Sequence, residues 1–210
     1  MYERELRWRR FYDGFSRWYD LSISVGALLL GFDDRRERER MVNLLGLRPG
    51  MRVLEVSAGT GLNLPIIARD IGAGGGIVAL DLSRGMLRRC RTKSASLRPV
   101  PALVEAEAAH LPFPACTFDA VLHFGGINEF SDREAAVREA MRVAKPGARI
   151  VIGDEGLAPG KENTLRGKLL LRNRLYANRP PLELIPAEAR DVRRRWFRNG
   201  GCYLIDFVNP

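Results

Sequence analysis

The segment Arg52–Val56 and the run Ser57-Ala58-Gly59-Thr60-Gly61 behind it constrain this chain more than any other feature. Arg52–Val56 is short, apolar and rich in β-branched residues, the pattern of a strand buried on both faces. The small residues after it let a ligand approach the backbone. They also let the chain turn sharply into a helix beginning near Leu62, whose first amides would face that ligand. Strand–glycine loop–helix units bind many nucleotides, so the loop alone does not choose among them. Two acidic residues narrow the choice: Glu55 inside the strand end, and Asp81 closing a second strand at Gly76–Asp81. The interval from Gly61 to Asp81 suits a β-α-β unit whose second strand presents a carboxylate to a ribose diol.

Glu55–Gly61 resembles the acidic, small-residue, glycine-containing loop of class I S-adenosylmethionine (SAM) methyltransferases. Leu111-Pro112-Phe113-Pro114 followed by Thr117–Val121 looks like their next signature, and Arg142–Arg149 is similar to the turn before their fifth strand. The three segments come in order, and the resemblance covers about residues 15–155. Its flavour is that of the ubiquinone/menaquinone C-methyltransferase-like group, with Ser57 standing where many members carry glycine.

The resemblance implies SAM as methyl donor, S-adenosylhomocysteine as product, and a small-molecule acceptor. It assigns cofactor contacts to Glu55, Ser57, Ala58, Gly59, Thr60 and Gly61, to Asp81, Leu82 and Met86, to Glu107 and Ala108, and to His123 and Phe124. Leu82 and Met86 would flank the adenine, and Glu107 would accept from its exocyclic amine where the family usually has aspartate. Phe15–Leu21 resembles a Tyr-Asp segment preceding the first strand, which implies a lid whose Tyr19 reaches the methionine end of SAM; a core tyrosine with a satisfied hydroxyl is the competing reading. His123 is the one catalytic candidate, as general base for a phenol or amine; a backbone contact to SAM with the imidazole packed behind it is the favoured alternative. Asn128 and Glu129 are substrate-pocket candidates by position alone. No metal site is expected.

Taken in order, the chain supports one domain over 1–210: 46% hydrophobic composition is enough for one substantial core. It divides into an N-terminal helical lid (1–47), a SAM-binding core (51–155), and a substrate-side helix with a closing hairpin (156–210). The fold class is α/β, a doubly wound, mostly parallel Rossmann-like sheet with a C-terminal antiparallel hairpin. Phe11, Phe15, Trp18 and Tyr19 share a helical face, which reads either as a cover over the core or as an interfacial helix. Asp33–Arg40 reads as the exposed, mixed-charge face of a helix. Ser83 caps a helix at Arg84–Lys93, and Ser131 caps another at Asp132–Val143. Strands are expected at Ala102–Glu105, Phe118–His123 and Ala148–Asp154. A basic amphipathic helix is expected over Lys161–Tyr176, then strands Val192–Arg198 and Cys202–Val208 joined at Asn199-Gly200.

The net charge is +9 with a pI near 10.1, which suits an anionic partner or a solvated basic surface. Arg4, Arg7, Arg9 and Arg10 at one end, and Arg166, Lys168, Arg172 and Arg174 at the other, make peripheral contact with anionic membrane an expectation. Nucleic acid is disfavoured, since no RNA motif or interleaved stacking surface appears. An NAD(P) oxidoreductase is disfavoured too, because Leu64 occupies the third glycine position and Leu111-Pro112-Phe113 does not belong to that pattern. A non-catalytic SAM- or RNA-binding module ranks last. The three cysteines, widely spaced, and the charged, aromatic N-terminus fit a cytoplasmic protein without a signal peptide. The acceptor and the oligomeric state are not readable from the sequence.

Overall fold

The computed structural model describes residues 3–210. Helices α1 (Glu3–Phe15), α2 (Tyr19–Leu30) and α3 (Asp34–Asn43) lead into β1 (Arg52–Val56), α4 (Leu64–Ile71), β2 (Gly76–Asp81), α5 (Arg84–Ser94) and β3 (Ala102–Glu105). Then come β4 (Phe118–Phe124), α6 (Arg133–Val143), β5 (Ala144–Glu155), α7 (Leu165–Leu170), β6 (Arg190–Phe197) and β7 (Cys202–Val208). The seven strands form one sheet in the order β3-β2-β1-β4-β5-β7-β6. All pairs from β3 to β5 are parallel, and β7 joins β5 and β6 antiparallel. This is the expected doubly wound sheet with its closing hairpin. Strand order reverses between β1 and β4, so the crevice at their carboxyl ends is where an open α/β sheet binds ligands.

The period-2 alternation of strand side chains divides the core between the two faces. Val53, Ile77, Ala79, Leu122 and Val151 pack with Met41 and Val42 of α3 and with Leu64, Ile67 and Ile71 of α4. Leu54, Val56, Val121, Ile150 and Ile152 pack with Val137, Ala140 and Val143 of α6. Leu64, Ile67 and Ile71 fall on one face of α4 and are wholly buried, each worth about 1.5–3 kcal/mol on burial.

Several local expectations are corrected. Asp132, not Ser131, caps α6, its Oδ1 accepting from the Ala135 N–H at 2.8 Å. The Ser131 N–H and hydroxyl instead donate to the Glu5 carboxylate of α1 at 2.8 and 2.9 Å. β5 begins at Ala144, before the expected Ala148, because Ala144 already pairs with Phe118; the register then shifts before Ala120 meets Arg149. The basic helix of the tail is broken. Only Leu165–Leu170 is α-helical, because Asn173 turns its side chain to the Leu175 N–H and starts a separate 3-10 turn. The hairpin turn is as expected: Asn199 (φ 55°) and Gly200 (φ 87°) take its centre, with the Gly201 N–H donating to the Arg198 carbonyl.

The mixed-charge run of α3 is not simply an exposed face, since Glu37 and Arg38 are buried. Arg38 donates to Asp34 at 2.6 Å and to Asn63 Oδ1 at 2.9 Å, and Asn63 donates on to Glu55 Oε1 at 2.7 Å. From the hairpin turn, Arg198 donates to the other Asp34 oxygen at 2.6 Å, while its N–H meets Glu37 at 2.8 Å. One carboxylate thus neutralises two buried guanidinium groups, and the network ties the C-terminal hairpin to the loop after β1. Removing one partner of a buried pair leaves the other charge uncompensated. Asp34→Ala should therefore cost roughly 3 kcal/mol of stability, read as a lowered midpoint in denaturant unfolding.

Candidate functional site

The loop after β1 is built by left-handed residues: Ser57 (φ 56°), Gly59 (φ 57°) and Gly61 (φ 81°). A Cβ on Gly61 would stand 2.8 Å from Cys90 Sγ and 2.9 Å from Leu64 Cδ1, so α5 and α4 require that glycine by close packing. A Cβ on Gly59 would find its nearest neighbour, the Tyr19 ring, at 3.8 Å, so here the backbone faces open space beneath the tyrosine. Asp81 sets the loop's shape. Its Oδ2 accepts from the Gly59 N–H at 2.7 Å and its Oδ1 from the Ser83 N–H at 2.8 Å. Burial pushes Asp81 up to about 6 against those bonds. Each carboxylate oxygen offers two lone pairs, so capacity remains for a ligand's hydroxyls.

Nine of the expected contacts line one cleft with this loop: Tyr19, Ser57, Gly59, Asp81, Leu82, Met86, Glu107, Ala108 and Phe124. The apolar Leu82, Met86 and Ala108 beside Asp81, and the open backbone at Gly59, fit an adenosyl group with its ribose. Glu55, Ala58, Thr60, Gly61 and His123 lie outside the lining. Glu55 sits behind the loop, where burial pushes it up to about 7 although Asn63 donates to it. The Ala58 N–H is taken by the Leu80 carbonyl at 2.9 Å. Thr60 fastens the loop to its surroundings, its hydroxyl donating to Asp20 at 2.5 Å and accepting from Lys93 at 3.0 Å. His123 is buried against Phe130, with ring centroids 5.2 Å apart, and burial pushes its pKa down to about 4. Burial and the lowered pKa favour the packed imidazole over the general base among the two expectations for His123. Among the described residues no cluster of metal-ligating side chains occurs.

The cleft is roofed by α1 and α2. Asp13 Oδ1 accepts from the Gly85 N–H at 2.8 Å and the Ser83 hydroxyl at 2.7 Å, so α1 places a carboxylate on the N-terminus of α5. A Cβ on Gly85 would meet the Asp13 carbonyl at 2.7 Å, which makes glycine the condition for that approach. Burial would raise the Asp13 pKa, but the Gly85 and Ser83 hydrogen bonds, with Arg9 and Arg88, outweigh it and hold the group below the usual carboxylate range. Arg9 pairs with Glu105 at 2.6 Å, and across the cleft Glu5 holds Ser131. The first helix therefore bridges the β2–β3 side to the β4 side. It also adds Trp8 and Tyr12 to the lining, with Ile23 from α2, Phe130, Glu155 and Leu175. Sequence reasoning assigned none of these six to the site. For Trp8 and Tyr12, the i, i+4 spacing within an aromatic-rich helix was the available signal.

Residues 54–152 match a family model described as a methyltransferase domain. The chain is 37% identical over 148 residues to a demethylmenaquinone methyltransferase of Beutenbergia cavernae, an alignment covering 70% of this chain and 58% of that protein. It is 35% identical over 127 residues to a ubiquinone/menaquinone biosynthesis C-methyltransferase of Pasteurella multocida, covering 59% and 47%. The chain thus matches about half the length of these curated relatives. Among solved structures it is similar to a SAM-dependent methyltransferase from Aquifex aeolicus, with a TM-score of 0.62, 24% identity, and 85% and 94% of the two chains covered.

Proposed function

We propose that this chain, whose residues 54–152 are a methyltransferase domain of the SAM-dependent class, methylates a small lipophilic acceptor of quinol type. The observation that carries this reading is Asp81, held at the end of β2 against the Gly59 backbone in a cleft that Tyr19 overhangs. Bound SAM supplies a methyl group already made electrophilic by its sulfonium. What the protein adds is placement. Asp81 accepts the ribose hydroxyls, Leu82 and Met86 enclose the base, and Glu107 accepts from its amine. The α1–α2 roof excludes water above the reacting group. Holding two reactants in line lowers the barrier by about 7–11 kcal/mol, so methyl transfer needs little acid–base machinery beyond alignment. The acceptor side of the cleft is walled by Trp8, Ile23, Phe124, Phe130 and Leu175, which favours an aromatic, lipophilic molecule. The quinone-pathway names of the relatives support the same class.

Calorimetric titration checks the donor. The protein should bind SAM and ignore NAD, and Asp81→Ala should weaken SAM binding about ten- to a hundredfold, the worth of a charged hydrogen bond. Binding of NAD without SAM would sink the reading. An unchanged SAM affinity in folded Asp81→Ala would remove Asp81 from the site.

A lipophilic acceptor is reached at a bilayer, and the protein has a surface suited to one. Leu21, Val25, Leu28 and Leu29 of α2 are 56, 44, 81 and 74% exposed at helical spacings, and Leu165 and Leu169 of α7 are 88 and 59% exposed. The Arg166 guanidinium of α7 lies beside Gly31 at the end of α2, which puts a basic group next to the α2 apolar face. This differs from the expected aromatic face: Phe11 and Trp18 are exposed, whereas Phe15 and Tyr19 are partly covered. No helix among the described residues is long and apolar enough to span a membrane. The fitting mode is a helix face resting on anionic lipid. In sedimentation with vesicles, the protein should bind phosphatidylglycerol-containing membranes at low salt and release at high salt, while Leu28→Asp with Leu29→Asp should abolish binding. Indifference to vesicles at low salt would contradict the proposal.

A further inference from the structure

Two buried polar atoms in the cleft wall have no partner within the protein: Oε1 of Glu129 and Nε1 of Trp8. Buried polar groups are nearly always hydrogen-bonded, and one left open inside a ligand cleft calls for a ligand atom. Glu129 is only 6% exposed, in the 3-10 turn Ile127–Glu129 that follows β4. Its other oxygen accepts from the Tyr12 hydroxyl at 3.1 Å. Trp8 and Tyr12 lie one turn apart on α1, with ring centroids 6.0 Å apart, so one helix face delivers both groups to the cleft. The turn itself is fixed. The Asn128 N–H donates to Asp154 at 2.8 Å, its side-chain amide donates to the Glu155 carbonyl at 2.9 Å, and it accepts from the Tyr203 hydroxyl at 3.1 Å.

We propose that Glu129 and Trp8 form the polar end of the acceptor pocket, with Glu129 taking the acceptor's hydroxyl proton and Trp8 donating to a second oxygen of the same molecule. The inference rests on the methyltransferase reading and names the residue that receives the acceptor's proton. Methyl transfer to a neutral acceptor releases one proton. The acceptor O–H bond breaks toward Glu129 Oε1, and the freed electron pair, delocalised through the ring, forms the new bond to the methyl carbon. The methyl–sulfur pair remains with sulfur, which leaves as a neutral thioether. Where a ring carbon is methylated, its own hydrogen returns to the oxygen as the ring becomes aromatic again, and Glu129 passes its proton to water.

The surroundings suit that duty. Burial, chiefly, and the neighbouring Glu155 push Glu129 up to about 7, against the Tyr12 hydrogen bond and Arg4. The groups that face it are Tyr12 and Arg4 of α1 and Glu155 of β5, with Asp154 bound to the adjoining Asn128. A base is most effective with a pKa near the working pH.

The test uses 1,4-naphthohydroquinone under anaerobic conditions, with SAM for turnover and S-adenosylhomocysteine for binding. In the wild type, kcat should rise with pH to a plateau above about 7, because Glu129 must be ionised. Glu129→Gln should lose that limb and fall roughly 10²–10⁴-fold in kcat, with SAM affinity and thermal unfolding unchanged. Calorimetry in buffers of different ionisation enthalpy should show the proton linkage of probe binding disappearing in the same variant. Trp8→Phe should raise KM severalfold and leave the pH limb in place. A Glu129→Gln enzyme with the wild-type rate and pH profile overturns the inference, as does a wild-type S-adenosylhomocysteine complex that does not bind the probe. Failure of the wild type to bind SAM would instead overturn the methyltransferase reading beneath it.

Discussion

The cleft depends on carboxylates that accept backbone N–H groups. Asp81 joins the carboxyl ends of β1 and β2 by bonding the Gly59 and Ser83 amides, so the ligand-facing loop takes its shape from the strand that presents the carboxylate. Asp13 repeats the device one layer out, holding α1 on the first turn of α5. Glu5 does the same at Ser131. Bonds of this kind are stronger than neutral ones and point in fixed directions. They let a roof of polar, arginine-rich helix sit over a cleft without a large apolar interface of its own.

Beneath the loop the same economy serves stability. Glu55 does not reach the cleft; it terminates a relay through Asn63, Arg38 and Asp34 to Arg198. The Arg198 guanidinium also lies 4.9 Å from the Phe124 ring centroid, and Phe124 is a cleft residue. The hairpin at the end of the chain is therefore coupled to both the floor and the wall of the site. This relates a C-terminal turn to the cleft through contacts rather than through sequence proximity.

What was legible in the sequence was short-range. The strands β1 to β3, the Ser83 cap and the Asn199-Gly200 turn follow from alternation, side-chain chemistry and spacing that a few neighbouring residues define. What was not legible depends on partners distant in the chain. Glu37 and Arg38 look like solvated charges until Arg198 and Asn63 arrive to bury them. Ser131 resembles a helix cap until Glu5, from the other end of the core, takes its donors. His123 looks like a base because its unperturbed pKa suits one, whereas in the fold it is buried against Phe130 and its pKa is pushed down. Tyr12 looks like one more aromatic of α1 until its hydroxyl is seen bonded to Glu129. Local pattern places the Gly59–Asp81 side of the cleft, and long-range polar contacts build the side formed by α1 and Glu129.

The central proposal is that SAM lies against the hydrogen-bonded pair of Gly59 and Asp81, beneath the α1–α2 roof. Hydrogen exchange on the full chain, with and without S-adenosylhomocysteine, tests it most directly, since amides report local opening region by region. The account predicts that saturating ligand slows exchange at residues 57–61, at 81–86 and along α1 together, because the roof is bonded to the α5 cap that adjoins the ligand. Protection confined to other segments, with these three unchanged while the ligand is bound, would contradict it.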